Sequence, residues 1–153
     1  MKNMKIPLKY GLLTAVGAIA WLLVVHALVT NPKSLVHVPG TPIFFNVLLF
    51  VAIYLGLRAA EREYGDKQDF KKGIKTGVAI AAVYAIALSL FFVGVMAFIG
   101  TRWMDVEPGA QATRSATDVA AAFAGLFITE LIVGLIYSTL ISFFLAKRRS
   151  EEV

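Results

Sequence analysis

Cysteine is absent from the 153 residues. That excludes disulfides, thiolate metal sites and cysteine nucleophiles, and it leaves the compartment open. Histidine is nearly absent too, with His26 inside an apolar run and His37 in a connector. A haem clamped between helices wants two histidines at matched depth, and a metal held by His26 and Glu130 alone lacks ligands. No glycine-rich phosphate loop occurs, and no serine has a His and an Asp at recognisable triad positions. No cofactor and no metal are therefore expected, and soluble-type enzymatic catalysis is disfavoured. Charge is scarce as well, and its scarcity is local: Tyr10–Pro32 passes 23 residues without any.

What replaces charge is hydrocarbon. Hydrophobic residues make up 58% of the chain and the mean hydropathy is +0.74, too apolar for an ordinary soluble domain. A spanning helix needs about 20 residues, so the length accommodates one domain of four spans. The uncharged runs place them at about 9–30, 42–60, 70–99 and 118–146. The first follows Lys2, Lys5 and Lys9, as a signal peptide would, with Val25-His26-Ala27 resembling a cleavage site. Its apolar run is long for such a peptide, and a retained helix is expected. The expected fold is an all-α integral membrane four-helix bundle.

Boundaries carry local signals. Pro7 suits a first turn, and Asn31-Pro32 a stop. Thr41-Pro42 reads as an N-cap followed by a first helical position. The second segment can run on past Arg58 towards Tyr64, with Gly65 as terminator. Asp66 or Asp69 would cap the third, Gly100 follows it, and Ser115-x-x-Asp118 has capping-box spacing for the fourth.

The basic residues sort by side. The N-terminus, the connector from Arg58 to Lys75 and the C-terminus hold twelve of the fifteen Lys and Arg residues. Only Lys33, Arg102 and Arg114 fall on the other side, where Trp103 fits an interfacial belt; Trp21 reads as buried. With four spans both termini are expected to be cytoplasmic. The pI near 9.6 then reflects topology. Nucleic-acid binding is not expected, because aromatic residues are not interleaved with the basic ones outside the spans.

Two rows of small residues mark close helix approach. Gly73, Gly77, Ala81 and Ala85 recur every four residues in the third segment. Ala122, Leu126, Glu130, Gly134, Ser138, Ser142 and Ala146 form a similar row in the fourth. Such rows let backbones approach. They serve packing within the bundle or, less simply, a homodimer seam.

Glu130 is the one ionisable residue in Val119–Ala146, flanked by 11 and 16 uncharged residues. Fifteen Leu, Ile, Val and Phe at roughly −0.3 to −0.6 kcal/mol each outweigh a carboxylate at about +3. The helix inserts, but Glu130 needs a partner, a protein interior or a proton. Asn46 and Ser89 fall at similar depth and His26 nearer the outer surface, so the four are expected to form a polar intramembrane cluster. As a staple, Glu130 ties helices together. As a functional group it relays protons or binds a cation.

MKIPLKYGLLTA (4–15), FKKGIKTG (70–77) and LIVGLIYSTLISFFLAKRR (131–149) resemble a family of uncharacterised four-helix bacterial inner-membrane proteins. The likeness touches the whole length and is least in the outer connector, 103–118. It implies lineage and an inner-membrane topology, and no activity. The expected role is a structural or accessory component whose partners are the bilayer and other membrane subunits or a second copy. The alternatives are a small proton-coupled transporter using Glu130 and, third, a quinone-binding or enzymatic subunit.

Overall fold

The computed structural model describes residues 4–28, 40–64, 70–98 and 116–151. Four helices account for them: α1 (Lys5–Leu28), α2 (Thr41–Tyr64), α3 (Phe70–Phe98) and α4 (Ala116–Glu151). Each is long and apolar enough to cross a membrane. In hydrocarbon every backbone N–H and C=O must be satisfied within the segment, which is why long apolar runs become helices there. The fold is an all-α, four-helix, multi-pass membrane architecture.

Three helices run past the apolar spans. α1 starts at Lys5, which puts Pro7 in its first turn, α2 continues through Arg58 to Tyr64 as its sequence allows, and α4 continues through the basic closing residues to Glu151. The bilayer limits the apolar part of a helix, not the helix. Ala, Arg, Glu and Lys are strong helix formers in water, so the charged flanks extend it. The cap of α2 differs from expectation. Phe44 N donates to Gly40 O at 2.8 Å, so Gly40 is the N-cap and Thr41 the first helical residue. Gly40 has φ +100°, which a residue with a Cβ rarely adopts. The roles assigned to Asn31-Pro32, Gly65, Asp66, Asp69, Gly100 and Ser115, and those of Lys33, His37, Arg102, Trp103 and Arg114, lie outside the described residues.

α3 is the hub. It packs most extensively on α4, then on α1 and α2, while α2 also touches α1 and α4. Among the described residues α1 and α4 do not meet, so the cross-section is a diamond with α2 and α3 on its short diagonal. Leu22, Leu49, Ile53, Leu57, Ile80, Tyr84 and Leu88 fill the core around Ala15, Ala18 and Ala81. Outside, the pattern of a soluble protein is inverted. Leu13, Val16, Leu28, Ile43, Leu90, Phe143 and Phe144 all stand exposed. An apolar surface this continuous is the lipid-facing wall of a membrane bundle.

Three hydroxyls inside the described helices turn back on their own backbone. Thr14 Oγ1 donates to Tyr10 O at 2.6 Å, Ser138 Oγ to Gly134 O at 2.5 Å and Thr139 Oγ1 to Leu135 O at 2.8 Å. This removes the cost of an unpaired donor in an apolar medium. Trp21 is half-buried: its ring stacks on Phe44 with centroids 4.4 Å apart, and Nε1 donates to Thr41 Oγ1 at 3.3 Å. That pairing ties the end of α1 to the start of α2.

Candidate functional site: the seam beside Glu130

The two small-residue rows face one another. A Cβ placed on Gly73 would lie 2.6 Å from Ser142 Oγ, one on Gly77 would collide with Ser138, and one on Gly134 with Ala81. The pairs step four residues forward on α3 as they step four back on α4, the register of an antiparallel seam. Gly73, Gly77 and Ala81 thus mesh with Ser142, Ser138 and Gly134. Continued one turn, this register sets Ala85 opposite Glu130, and a further turn sets Ser89 opposite Leu126. The rows are consumed inside one chain, where the backbones need the approach.

Glu130 therefore sits where the small residues end. Its side chain is half-buried, and the register sets it opposite Ala85, the residue that follows Tyr84 on α3. Among the described residues Glu130 has neither a hydrogen bond nor an ion pair. Tyr84 is fully buried, and its hydroxyl has no hydrogen-bond partner there. A carboxyl and a phenol, each able to donate and accept, thus occupy one stretch of the seam.

The structure distributes the expected four-residue cluster. Ser89 is buried on α3, on the row that faces α4. Asn46 is engaged elsewhere: its Nδ2 donates to Pro42 O at 2.8 Å, and its Oδ1 accepts from Tyr137 Oη at 2.8 Å. Tyr137 lies two turns along α4 from Glu130 and packs edge-on against Phe50, with ring centroids 5.5 Å apart. His26 belongs to α1, which makes no contact with α4 among the described residues. Glu130 and Ser89 therefore share the α3–α4 seam, whereas Asn46 fastens α2 to α4 and His26 stays on the far side of α3. Diamond packing is the physical reason, since depth alone cannot bring opposite corners together.

Two tyrosines escaped the sequence reading. Tyr84 and Tyr137 carry hydroxyls deep in apolar spans, and a buried tyrosine normally finds a partner for that group. A tyrosine in the middle of a span, like an Asn or a Glu there, was the available signal. Cavities border the described helices. One of about 400 Å³ lies between α2 and α4, against Ile43, Asn46, Phe50 and Tyr137. Another, about 610 Å³, opens between α1 and α2 beside Tyr10, Tyr54, Arg58 and Arg62. Glu130 lines neither. Among the described residues no group of three His, Asp or Glu converges as a metal site would require.

Fold and seam together define a class: a multi-pass helical membrane protein with a carboxyl inside an apolar span at a tight helix seam. Comparison of the chain with protein-family models, curated proteins and solved structures finds no match.

Proposed function

We propose that this chain is a structural or accessory component of a membrane complex, in the cytoplasmic membrane of a bacterium, with both termini on the cytoplasmic side. Its kinship is with the uncharacterised four-helix family that its terminal and third-helix motifs resemble. The observation that carries the role is the closed α3–α4 seam. Gly73, Gly77 and Ala81 leave room only for Ser142, Ser138 and Gly134, and the Ser138 hydroxyl is spent on its own backbone. A seam packed backbone to backbone favours a rigid platform over a protein that opens and closes around a substrate.

The orientation has a clean test because the chain has no cysteine of its own. Ser115→Cys is expected to react with a membrane-impermeant thiol reagent in intact cells, and Gln68→Cys only after permeabilisation. The reverse labelling would invert the topology.

One observation favours a second reading, a proton-coupled carrier. The Tyr84 hydroxyl is buried without a hydrogen-bond partner among the described residues, one residue before the position that the seam register sets opposite Glu130, an arrangement suited to passing a proton. Glu130→Gln separates the two. Gln copies a carboxyl's hydrogen bonding but cannot gain and lose a proton. For an accessory protein, Glu130→Gln is expected to fold normally and to retain whatever subunits co-purify with wild type in mild detergent. Vesicles containing either form should show no proton flux above empty ones. Flux in wild type that vanishes in a normally folded Glu130→Gln would replace the accessory reading with the carrier.

A further inference from the structure

The charged end of α2 holds a second feature. Tyr54, Arg58 and Arg62 recur every four residues and so lie along one face of the helix. Together with Tyr10 of α1 they line the 610 Å³ groove between the two helices. Its wall changes character along its length. Leu55, 47% exposed, lies at the membrane end; Arg58 follows one turn on, and Arg62 and Glu63 form the rim. From Leu55 to Arg62 the rise is about 10 Å, so apolar wall, first guanidinium and second guanidinium succeed one another across a membrane interface.

Arg58 is held in place. Its Nε donates to Tyr54 Oη at 3.4 Å, its guanidinium stands 5.8 Å from the Tyr54 ring centroid, and Nη1 is 3.6 Å from Glu61 Oε2. These contacts orient the guanidinium, and the Glu61 approach is too long to be a strong hydrogen bond. A guanidinium carries five N–H donors, so several remain to face the groove. Arg62 is exposed. Lys9, 5.8 Å from the Tyr10 ring centroid, adds a third cation beside the α1 wall. Glu63 at the rim is the opposing charge in the lining.

We propose that this groove binds the phosphodiester headgroup of an anionic phospholipid, with Arg58 and Arg62 as its ligands and an acyl chain running along Leu55. Guanidinium forks match phosphate oxygens in pairs, and basic pockets between helices at a membrane surface suit anionic headgroups. Free phosphate shares that chemistry, but it would leave the apolar end of the groove unused. The lipid fills both ends.

The test is native mass spectrometry of the full chain, delipidated in mild detergent and then offered phosphatidylglycerol or phosphatidylcholine. Wild type is expected to retain phosphatidylglycerol several-fold better. Arg58→Gln/Arg62→Gln should abolish that preference with its thermal unfolding unchanged. Lys71→Gln/Lys75→Gln, an equal loss of charge on α3, should keep it. Should the glutamine pair fail to fold, Arg58→Lys/Arg62→Lys keeps the charge but loses the forks, and the preference should fall by more than half. Preference surviving in the arginine variants, or lost equally in the lysine control, would overturn the site. Displacement of the lipid by millimolar inorganic phosphate would overturn the assignment to lipid.

Discussion

Gly77→Leu is expected to be the most damaging single substitution in the membrane core. A Cβ at position 77 would stand 2.7 Å from Ser138 Cβ and 3.2 Å from Ile53 Cγ2, with Ser138 Oγ nearer still. Even Gly77→Ala therefore forces α3 and α4 apart, at a cost of about 1–3 kcal/mol for an overpacked core. Leucine drives three further carbons into the same gap, and the seam should separate. Two controls isolate the cause. Gly94 and Gly125 have nothing within 4 Å of an added Cβ. Alanine there should be neutral or stabilising by roughly 0.5–1 kcal/mol, through helix propensity alone. Ser138→Gly combined with Gly77→Ala removes the colliding atoms on α4 and should recover much of the loss. Thermal unfolding in detergent reads all five variants. A Gly77→Leu protein that melts with wild type would mean that α3 and α4 do not meet along this row.

The second large effect belongs to Tyr84, the largest fully buried side chain among the described residues. Tyr84→Ala removes an aromatic ring from the hydrophobic core around α3 and should cost about 3–5 kcal/mol, the range for aromatic-to-alanine truncation in packed cores. Tyr84→Phe keeps the ring and deletes only the hydroxyl, which has no hydrogen-bond partner among the described residues. Hydrogen bonds between membrane helices average about 0.6 kcal/mol, so even a water-mediated link to Glu130 sets a small ceiling. Tyr84→Phe should therefore change stability by less than about 1 kcal/mol. A loss in Tyr84→Phe approaching that of Tyr84→Ala would show that the hydroxyl, through Glu130, holds the bundle together. A double-mutant cycle with Glu130→Gln would then assign the coupling.

The small-residue rows were legible as rows. Gly73, Gly77 and Ala81 announce a close approach, and so do Gly134, Ser138 and Ser142, because only small side chains let helix backbones come near one another. Their mating was not legible. Any helix can offer its row to any other, and a second copy of the chain would have served equally well on sequence grounds. Glu130 was visible as the lone charge in its span. Tyr84 was hidden because a tyrosine passes for one more apolar residue in a hydropathy reading.

Sequence by itself determined the number of helices, their apolar extents and their all-α class. A long uncharged run in a bilayer has one way to satisfy its backbone. Only the tertiary structure decided which faces turn inward. The helices are apolar all round, so periodicity does not distinguish core from lipid, as it does in a soluble bundle. Depth put Asn46, Ser89, His26 and Glu130 near one another on paper. The diamond packing, with α3 between α1 and α4, gave Asn46 to Tyr137 and set Glu130 against α3 at the end of the small-residue seam. Lateral position in a membrane bundle is set by which surfaces interlock, and a linear chain does not record that.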